Sequence, residues 1–329
     1  MAATTLRIGL LGAARIAPDA LLKPAKIIDG VEVAAIAARE PARALEFAKA
    51  HRIARVLASY DELVNDPDLD AIYNPLPNSL HCEWTIRALR AGKHVLCEKP
   101  LSSNAAEAAR MAAAADQSGR ILVEAFHYYY HPLAQRVREI LSNGTLGKLS
   151  RIEAKFSVPF IPPTDIRHNL SLAGGATMDL GCYPLHMIRH FSGTTPIVKA
   201  AHATVGAPGI DVAMEADLEL PGGATARMNC SMEPTAPLQV MFEAQGDRGS
   251  LSVVNPLAPH RGHQLTIKTA GGEKQETFPL DSTFTYQLRA FAAAVRGGPA
   301  MPTDGHDGII GMRIIDDVYR KAGLPLRSA

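Results

Sequence analysis

The stretch Thr177-Met178-Asp179-Leu180-Gly181-Cys182-Tyr183-Pro184-Leu185-His186 places three proton-transferring side chains at helical spacing. Asp179, Tyr183 and His186 stand at i, i+4 and i+7, which sets a carboxylate, a phenol and an imidazole on one helix face. Pro184 lies inside that helix and predicts a kink or an early 3₁₀ turn. A second chemical feature is GKHVLCEKPL, residues 92–101, where the apolar run Val95-Leu96-Cys97 ends in Glu98, Lys99 and Pro100. Charges avoid interiors unless paired, and proline cannot continue a central ladder. A buried strand therefore stops at Cys97, and Lys99 stands where it opens.

Short apolar runs separated by helical stretches position Lys99. Strands are expected at Leu6–Leu11, Val31–Ala37, Asp70–Asn74, His94–Cys97 and Ile121–Ala125. Pro41 suits the first turn of a helix toward His51, Asn78 is placed to cap a helix ending near Gly92, and Ser103 begins an alanine-rich helix ending at Gly119. This alternation indicates a doubly wound parallel sheet, in which ligands bind beyond the carboxyl ends of the strands.

After a helix at His131–Asn143 the period changes to two. Ile152, Ala154, Phe156 and Val158 alternate with Arg151, Glu153, Lys155 and Ser157. Val212–Leu220 and Ala224–Met232 repeat the pattern across the turn Pro221-Gly222-Gly223, and Val240–Ala244 and Leu251–Val254 follow. Such alternation marks an antiparallel sheet with one buried face. Helices over residues 285–296 and 304–322 close the chain. The reading is α/β: a parallel-sheet domain over 1–126, then an α+β domain with an open, mostly antiparallel sheet over 127–329.

The turn after the first strand, GLLGAARIA, aligns with the dinucleotide fingerprint G-x-G-x-x-G/A as Gly12, Ala14 and Ala17. Alanine stands where a central glycine normally lets the backbone approach a pyrophosphate. Gly9, Gly12, Ala14, Arg15 and Ile16 are the expected cofactor contacts, against the alternative of a tight turn that holds nothing. The second strand ends Ala37-Ala38-Arg39, with Arg43 one turn further on and no acid for ribose hydroxyls. An arginine there can grip a 2′-phosphate in bidentate fashion, so NADP is expected over NAD. A solvated arginine at a helix start is the alternative. Asn74-Pro75-Leu76-Pro77-Asn78 follows another strand end. Pro75, Leu76 and Asn78, with His81 in the next helix and Glu98 beside Lys99, are expected to wall the nicotinamide site, unless this is a rigid proline turn without a ligand.

Together, GLLGAARIA, DAIYNPLPNSLHCEWTIRALRAGKHVLCEKPL, EAFHYYYHP and GGATMDLGCYPLHMIR resemble the glucose-fructose oxidoreductase, inositol dehydrogenase and MocA superfamily. The chain is most similar to its branch of dimeric dihydrodiol dehydrogenase and NADP-dependent D-xylose 1-dehydrogenase. The resemblance implies an N-terminal Rossmann domain, a nicotinamide cofactor, and hydride transfer at a carbon bearing oxygen. It implies that Lys99 is the active-site lysine, preceding a peptide bond often cis, and that Asp179 lies on the substrate side. Tyr183 stands where many members carry a catalytic histidine, as in the dihydrodiol branch. Tyr129 stands where that branch usually carries an arginine.

Oxidising an alcohol releases a hydride from carbon and a proton from oxygen, and a side chain must take the proton. A lysine ammonium within about 4 to 6 Å favours a phenolate, so Tyr183 as acid/base with Lys99 as its electrostatic partner is the expected pair. His186 is the rival base, or a core histidine. Asp179 is expected to orient Lys99 or a substrate hydroxyl, with His127, Tyr129, Tyr130 and Arg167 around the substrate.

The length of 329 residues suits two domains. The net charge of +1 and the lack of a long basic run give no reason to expect nucleic acid or an anionic membrane. The scattered Cys82, Cys97, Cys182 and Cys230 form no C-x-x-C pair and suit reduced thiols in a cytoplasmic setting. The N-terminal apolar stretch reads as a first strand rather than a targeting segment. No metal is expected. The partner is a small polyhydroxylated substrate, and a homodimer or homotetramer is expected through the open sheet, whose polar face carries Glu215, Asp217, Glu219 and Arg227. A non-catalytic sensor of the same fold and an NAD-dependent redox glycosidase are the competing readings.

Overall fold

The computed structural model describes residues 5–159, 161–206 and 208–328. The chain divides into two units: residues 1–126 with Phe284–Ile309, and His127–Thr283 with residues 310–329. The segment 284–309 thus joins the first unit, where the sequence reading gave it to the second. The amphipathic pattern of a helix shows that it covers a sheet but not which one. Tertiary bonds decide here: Glu124 N–H donates to Thr303 O at 2.8 Å, and Arg296 donates to Gly30 O at 2.6 Å.

In the first unit six parallel strands lie in the order β3-β2-β1-β4-β5-β6. They are β1 Leu6–Leu11, β2 Val31–Ala37, β3 Arg55–Val56, β4 Ala71–Asn74, β5 His94–Cys97 and β6 Leu122–Glu124. β1, β4, β5 and β6 are buried almost throughout, as strands covered by helices on both faces must be. The helix Ala105–Ser118 is set by a reciprocal cap. Asn104 accepts from Glu107 N–H, Glu107 accepts from Ser103 N–H, and Gly119 ends it in the left-handed conformation. The cap is therefore Asn104, not Ser103. Asn78 is likewise the first residue of the helix Asn78–Arg90 rather than its cap, which is Pro77. After β1 the chain makes only a short π turn, Pro18–Leu22, and one turn of α-helix, Lys23–Ala25.

The second unit holds eight strands in the order β14-β13-β12-β11-β7-β10-β9-β8. They are β7 Leu149–Ser157, β8 Ile197–Gly206, β9 Ile210–Glu219, β10 Thr225–Ser231, β11 Gln239–Gly246, β12 Gly249–Val254, β13 Gln264–Thr269 and β14 Gly272–Glu276. All neighbours are antiparallel except β7 and β10. Ile152, Ala154, Met228 and Phe242 are fully buried on the inner face, whereas Phe156 and Val158 are only half-buried. The helix Cys182–Ser192 lies against this face, with Phe191 edge-on to Phe242 at 4.8 Å between ring centres. A methyl on Gly181 would meet Cys230 Sγ at 3.0 Å, so the helix approaches the sheet closely there. All four cysteines are free and buried. Among the described residues no helix is long and apolar enough to cross a membrane.

Candidate active site

In the first unit the chemistry gathers at the carboxyl ends of β1, β2, β4 and β5. Gly12 follows β1 with φ of +81°, and its N–H donates to Ala37 O at 2.7 Å, tying the turn to β2. A side chain at Gly12 would be strained and would stand 3.1 Å from Leu76 Cδ2. Arg43 reaches back to Ala13 O at 3.4 Å. The Arg39 side chain is 84% exposed, with Glu40 at 3.7 Å, and its backbone N–H donates to the Tyr60 hydroxyl at 3.2 Å. Burial raises the Tyr60 pKa, against the pull of Arg39 and Arg43. Arg15 and Ile16 are exposed beside this turn, and Ala14 is half-exposed.

Two expected cofactor contacts have other work. Gly9 lies inside β1, and a methyl there would meet the side chains of Leu69 at 2.7 Å and Ile72 at 2.9 Å, so it is a packing glycine. The Glu98 carboxylate is buried and accepts from the Tyr73 hydroxyl at 2.6 Å.

The corner holding Lys99 is fixed from behind. Asn74, fully buried at the end of β4, donates to Thr85 Oγ1 at 3.1 Å and accepts from Leu76 N–H at 3.3 Å, which shapes the Pro75–Pro77 turn. His81 is buried with Nε2 at 2.7 Å from Leu76 O and Nδ1 at 2.9 Å from Pro100 O. It bridges that turn to the carbonyl of Pro100, whose bond to Lys99 is cis. Burial pulls its pKa down to about 4, the two carbonyls opposing. His81 therefore positions the wall and is not itself exposed as one.

In the second unit the expected 3₁₀ turn is a π turn, Thr177–Gly181, running directly into the helix Cys182–Ser192. Its three candidate side chains have different partners. Arg167 Nε donates to Asp179 at 2.5 Å, and Arg167 also binds Asp165 at 2.8 Å. Burial works against the Arg167 charge, but the two carboxylates prevail and raise its pKa. The buried Tyr183 hydroxyl lies 3.4 Å from His127 Nε2, at the long end of hydrogen bonding, and His127 Nδ1 lies 2.8 Å from Thr283 Oγ1. His186 Nδ1 is 2.6 Å from the Tyr128 hydroxyl, and its ring stacks on His190 at 3.9 Å. Burial, then the charges of His190, Arg189 and Arg138, hold the His186 pKa well below the usual histidine range. Burial also pushes the Tyr128 pKa well up, so the phenol keeps its proton. Arg138 sits over the Tyr129 ring at 4.0 Å, a cation–π contact.

Spacing therefore found Asp179, Tyr183 and His186 but not Tyr60, Tyr73, Tyr128 or Thr283. Tyr128 was the nearest to legible, in the run His127-Tyr128-Tyr129-Tyr130, yet nothing in three successive tyrosines tells which one turns inward.

The turn at Gly12 has room for backbone but not for a side chain, the end of β2 bears an exposed guanidinium, and residues 37–39 include no acid. Those features fit a phosphorylated dinucleotide. Residues 6–126 match the oxidoreductase family with an NAD-binding Rossmann fold, GFO/IDH/MocA, and residues 134–252 match its C-terminal domain. The chain is 36% identical to D-xylose 1-dehydrogenase (NADP(+)) 2 of Haloferax volcanii over 321 residues, 96% of this chain and 97% of the relative. It is 34% identical to trans-1,2-dihydrobenzene-1,2-diol dehydrogenase of Bos taurus, over 76% of this chain and 72% of that protein. Its fold matches a 3-ketoreductase from Actinomadura kijaniata, crystallised with NADP and TDP-benzene, with a TM-score of 0.90 and 31% identity over 97% of this chain and 98% of that one. The same ketoreductase has been crystallised with a tyrosine changed to phenylalanine and with a lysine changed to alanine.

Proposed function

The chain belongs to the GFO/IDH/MocA oxidoreductase family, and we propose that it is an NADP-preferring enzyme interconverting a hydroxyl and a carbonyl on a sugar or vicinal diol. Tyr183 is the acid/base and Lys99 its electrostatic partner. The observation that carries the choice of Tyr183 is the state of its rival. His186 is hydrogen-bonded to Tyr128 and burial makes it a weak base, so the Tyr183 phenol is the better proton carrier on that helix. The lysine and tyrosine variants solved for the ketoreductase support the same two residue types.

Gly12, Ala14, Arg39 and Arg43 would hold the nucleotide, with Arg15 and Ile16 beside it and Pro75, Leu76 and Asn78 as a wall. When bound, the nicotinamide supplies the hydride acceptor or donor. In the oxidation direction the substrate hydroxyl gives its proton to the Tyr183 oxygen. The Lys99 ammonium favours the phenolate form that accepts it. The phenol then has His127 Nε2 as a hydrogen-bond partner, with Thr283 behind it. Asp179 and Arg167, with His127 and Tyr129, are the proposed hydroxyl-binding groups. Polar side chains of this kind suit a hydroxylated substrate. The NADP-linked xylose dehydrogenase among the relatives favours an aldose.

A homodimer or homotetramer through the outer face of the eight-stranded sheet belongs to the same reading. Part of the charge there is matched within each chain, Arg227 to Asp217 at 2.7 Å and Lys199 to Glu219 at 3.3 Å, which lowers the cost of covering this face. The four free thiols suit the reducing cytoplasm, the location we propose.

The test is reduction of NADP and of NAD over a panel of aldoses and vicinal diols. NADP should be preferred by about 10-fold or more in kcat/KM, and Arg39→Ala should narrow that preference, since each tenfold is about 1.4 kcal/mol of phosphate binding. A strong NAD preference that survives Arg39→Ala overturns the cofactor assignment. Failure of every polyol in the panel overturns the substrate class.

A further inference from the structure

We propose that the buried ion pair between Asp211 and Arg327 is a clamp that positions the Asp179–Tyr183 segment, so that residues near the C-terminus govern turnover without touching substrate. The proposal rests on the reading that this segment carries the acid/base; the clamp itself can be measured apart from activity.

Asp211 and Arg327 are almost wholly buried, 2.6 Å apart. Between them they grip the backbone just before the reacting helix at two points. Asp211 Oδ2 accepts from Thr177 N–H at 2.7 Å, and Arg327 Nε donates to Gly174 O at 2.9 Å. Asp211 Oδ1 also accepts from the Tyr319 hydroxyl at 3.0 Å, and the Arg327 guanidinium lies 4.5 Å over the Tyr319 ring. Three separate segments converge here: the start of β9, the helix Gly305–Lys321 and the C-terminal tail.

Gly174, whose carbonyl is gripped, and Gly175 beside it have no room for a side chain. Gly175 has φ of +137°, and a methyl there would collide with the Asp211 carboxylate and stand 2.9 Å from the Tyr319 hydroxyl. A methyl on Gly174 would press on Arg167 O at 2.5 Å and on Asn169 O at 2.9 Å. So Gly174 fits against the backbone of Arg167, the side chain that holds Asp179, while Gly175 admits Asp211. The clamp and the Arg167–Asp179 pair therefore share one anchor. Thr177 N–H is a donor at the start of a helix, with no carbonyl one turn back to take it. A carboxylate fixed by three donors sets where that helix begins, and Asp179 and Tyr183 follow two and six residues on. Well-packed apolar residues serve stability as well as a buried ion pair does. The bidentate grip on one backbone stretch is what the charged pair adds.

The test is Arg327→Gly, with and without millimolar guanidinium, beside Arg327→Lys as a milder variant that keeps the charge. Readouts are kcat, KM for NADP, and amide hydrogen exchange of residues 174–183. Arg327→Gly should lower kcat by about 10-fold to 100-fold, as small misplacements of a reacting group do. KM for NADP should stay within about twofold, since the nucleotide residues lie in the other unit. Exchange should rise at 174–183 more than in the rest of the second unit, and guanidinium should restore both kcat and protection. If Arg327→Gly does not fold, Arg327→Lys should show the same selective rise in exchange with a smaller loss of kcat. Unchanged kcat in a folded variant overturns the proposal. So does guanidinium that restores protection without turnover, or exchange that rises evenly across the unit. If the wild type reduces neither cofactor with any polyol, the functional reading has failed, and the exchange pattern still decides whether the clamp exists.

Discussion

His81 in the first unit and Asp211 in the second each hold a reactive corner from behind, by opposite means. His81 is a buried ring set between two carbonyls, Leu76 O and Pro100 O, donating to one of them when neutral, and it lies against the residue that follows Lys99. Asp211 is a charge that collects Thr177 N–H, the Tyr319 hydroxyl and Arg327 ahead of Tyr183. The difference follows from what each backbone exposes. A carbonyl turned inward beside a loop needs a donor, and the one N–H of a neutral buried ring supplies it without a net charge. A helix start exposes N–H groups and needs an acceptor, and a buried carboxylate needs a cation to stand beside it. Acid sets a charge in the first clamp against its burial, and removing a partner breaks the second.

The largest effect should come from halving the charged clamp. Asp211→Asn leaves the Arg327 guanidinium buried without its carboxylate, and breaking such pairs costs about 3 to 5 kcal/mol. Denaturant unfolding at neutral pH measures it, and a loss under about 1 kcal/mol would place Asp211 on a par with an ordinary surface group.

Acid should weaken the neutral clamp by somewhat less. The His81 pKa is about 4 in the folded chain, against about 6.5 for a free histidine. The unfolded chain binds the proton more readily, so His81 contributes stability above pH about 6.5 that is lost as pH falls toward 4. That difference corresponds to about 3 kcal/mol. Unfolding at a series of pH values should show the fall, and His81→Gln should flatten it. His186, also depressed by burial, adds a fall of the same sign in the second unit, so His186→Gln should flatten part of the remainder. An acid profile identical in His81→Gln and wild type would mean that the ring is protonated in place.

The smallest effect compares the glycines of the two corners. Gly12→Ala meets the end of a flexible Leu76 side chain in a left-handed conformation, and should cost about 1 to 2 kcal/mol. Gly175→Ala meets the Asp211 carboxylate, which three donors hold in place, and should cost more. Equal Tm losses in the two variants would show that Asp211 yields as easily as Leu76.

The two corners were also unequally legible. β1, β2 and β5 could be read to the residue because buried parallel strands are nearly continuous apolar runs ended by glycine, proline or charge. Lys99 was visible for the same reason, since a cation after a buried run is conspicuous. The helix spacing of Asp179, Tyr183 and His186 marked the second corner, yet it could not show that His186 is bound to Tyr128. Burial and partner are tertiary facts with no local signature. His81 appeared as one polar residue in a helix, and Asp211 as one carboxylate at the start of an alternating strand. His81 acquires its work from residues 5 and 19 positions away, and Asp211 from residues 34 to 116 positions away. The placement of residues 284–309 with the first sheet was hidden likewise, because it rests on pairing with β6 and not on any feature of the helix itself.

Turnover of Tyr183→Phe beside His186→Gln, with NADPH affinity measured on both, tests the central assignment most directly. Loss of a general acid/base predicts that Tyr183→Phe falls by about 10²-fold or more with NADPH affinity unchanged, while His186→Gln loses far less. Wild-type turnover in Tyr183→Phe, together with its loss in His186→Gln, would contradict the account and move the proton to the imidazole.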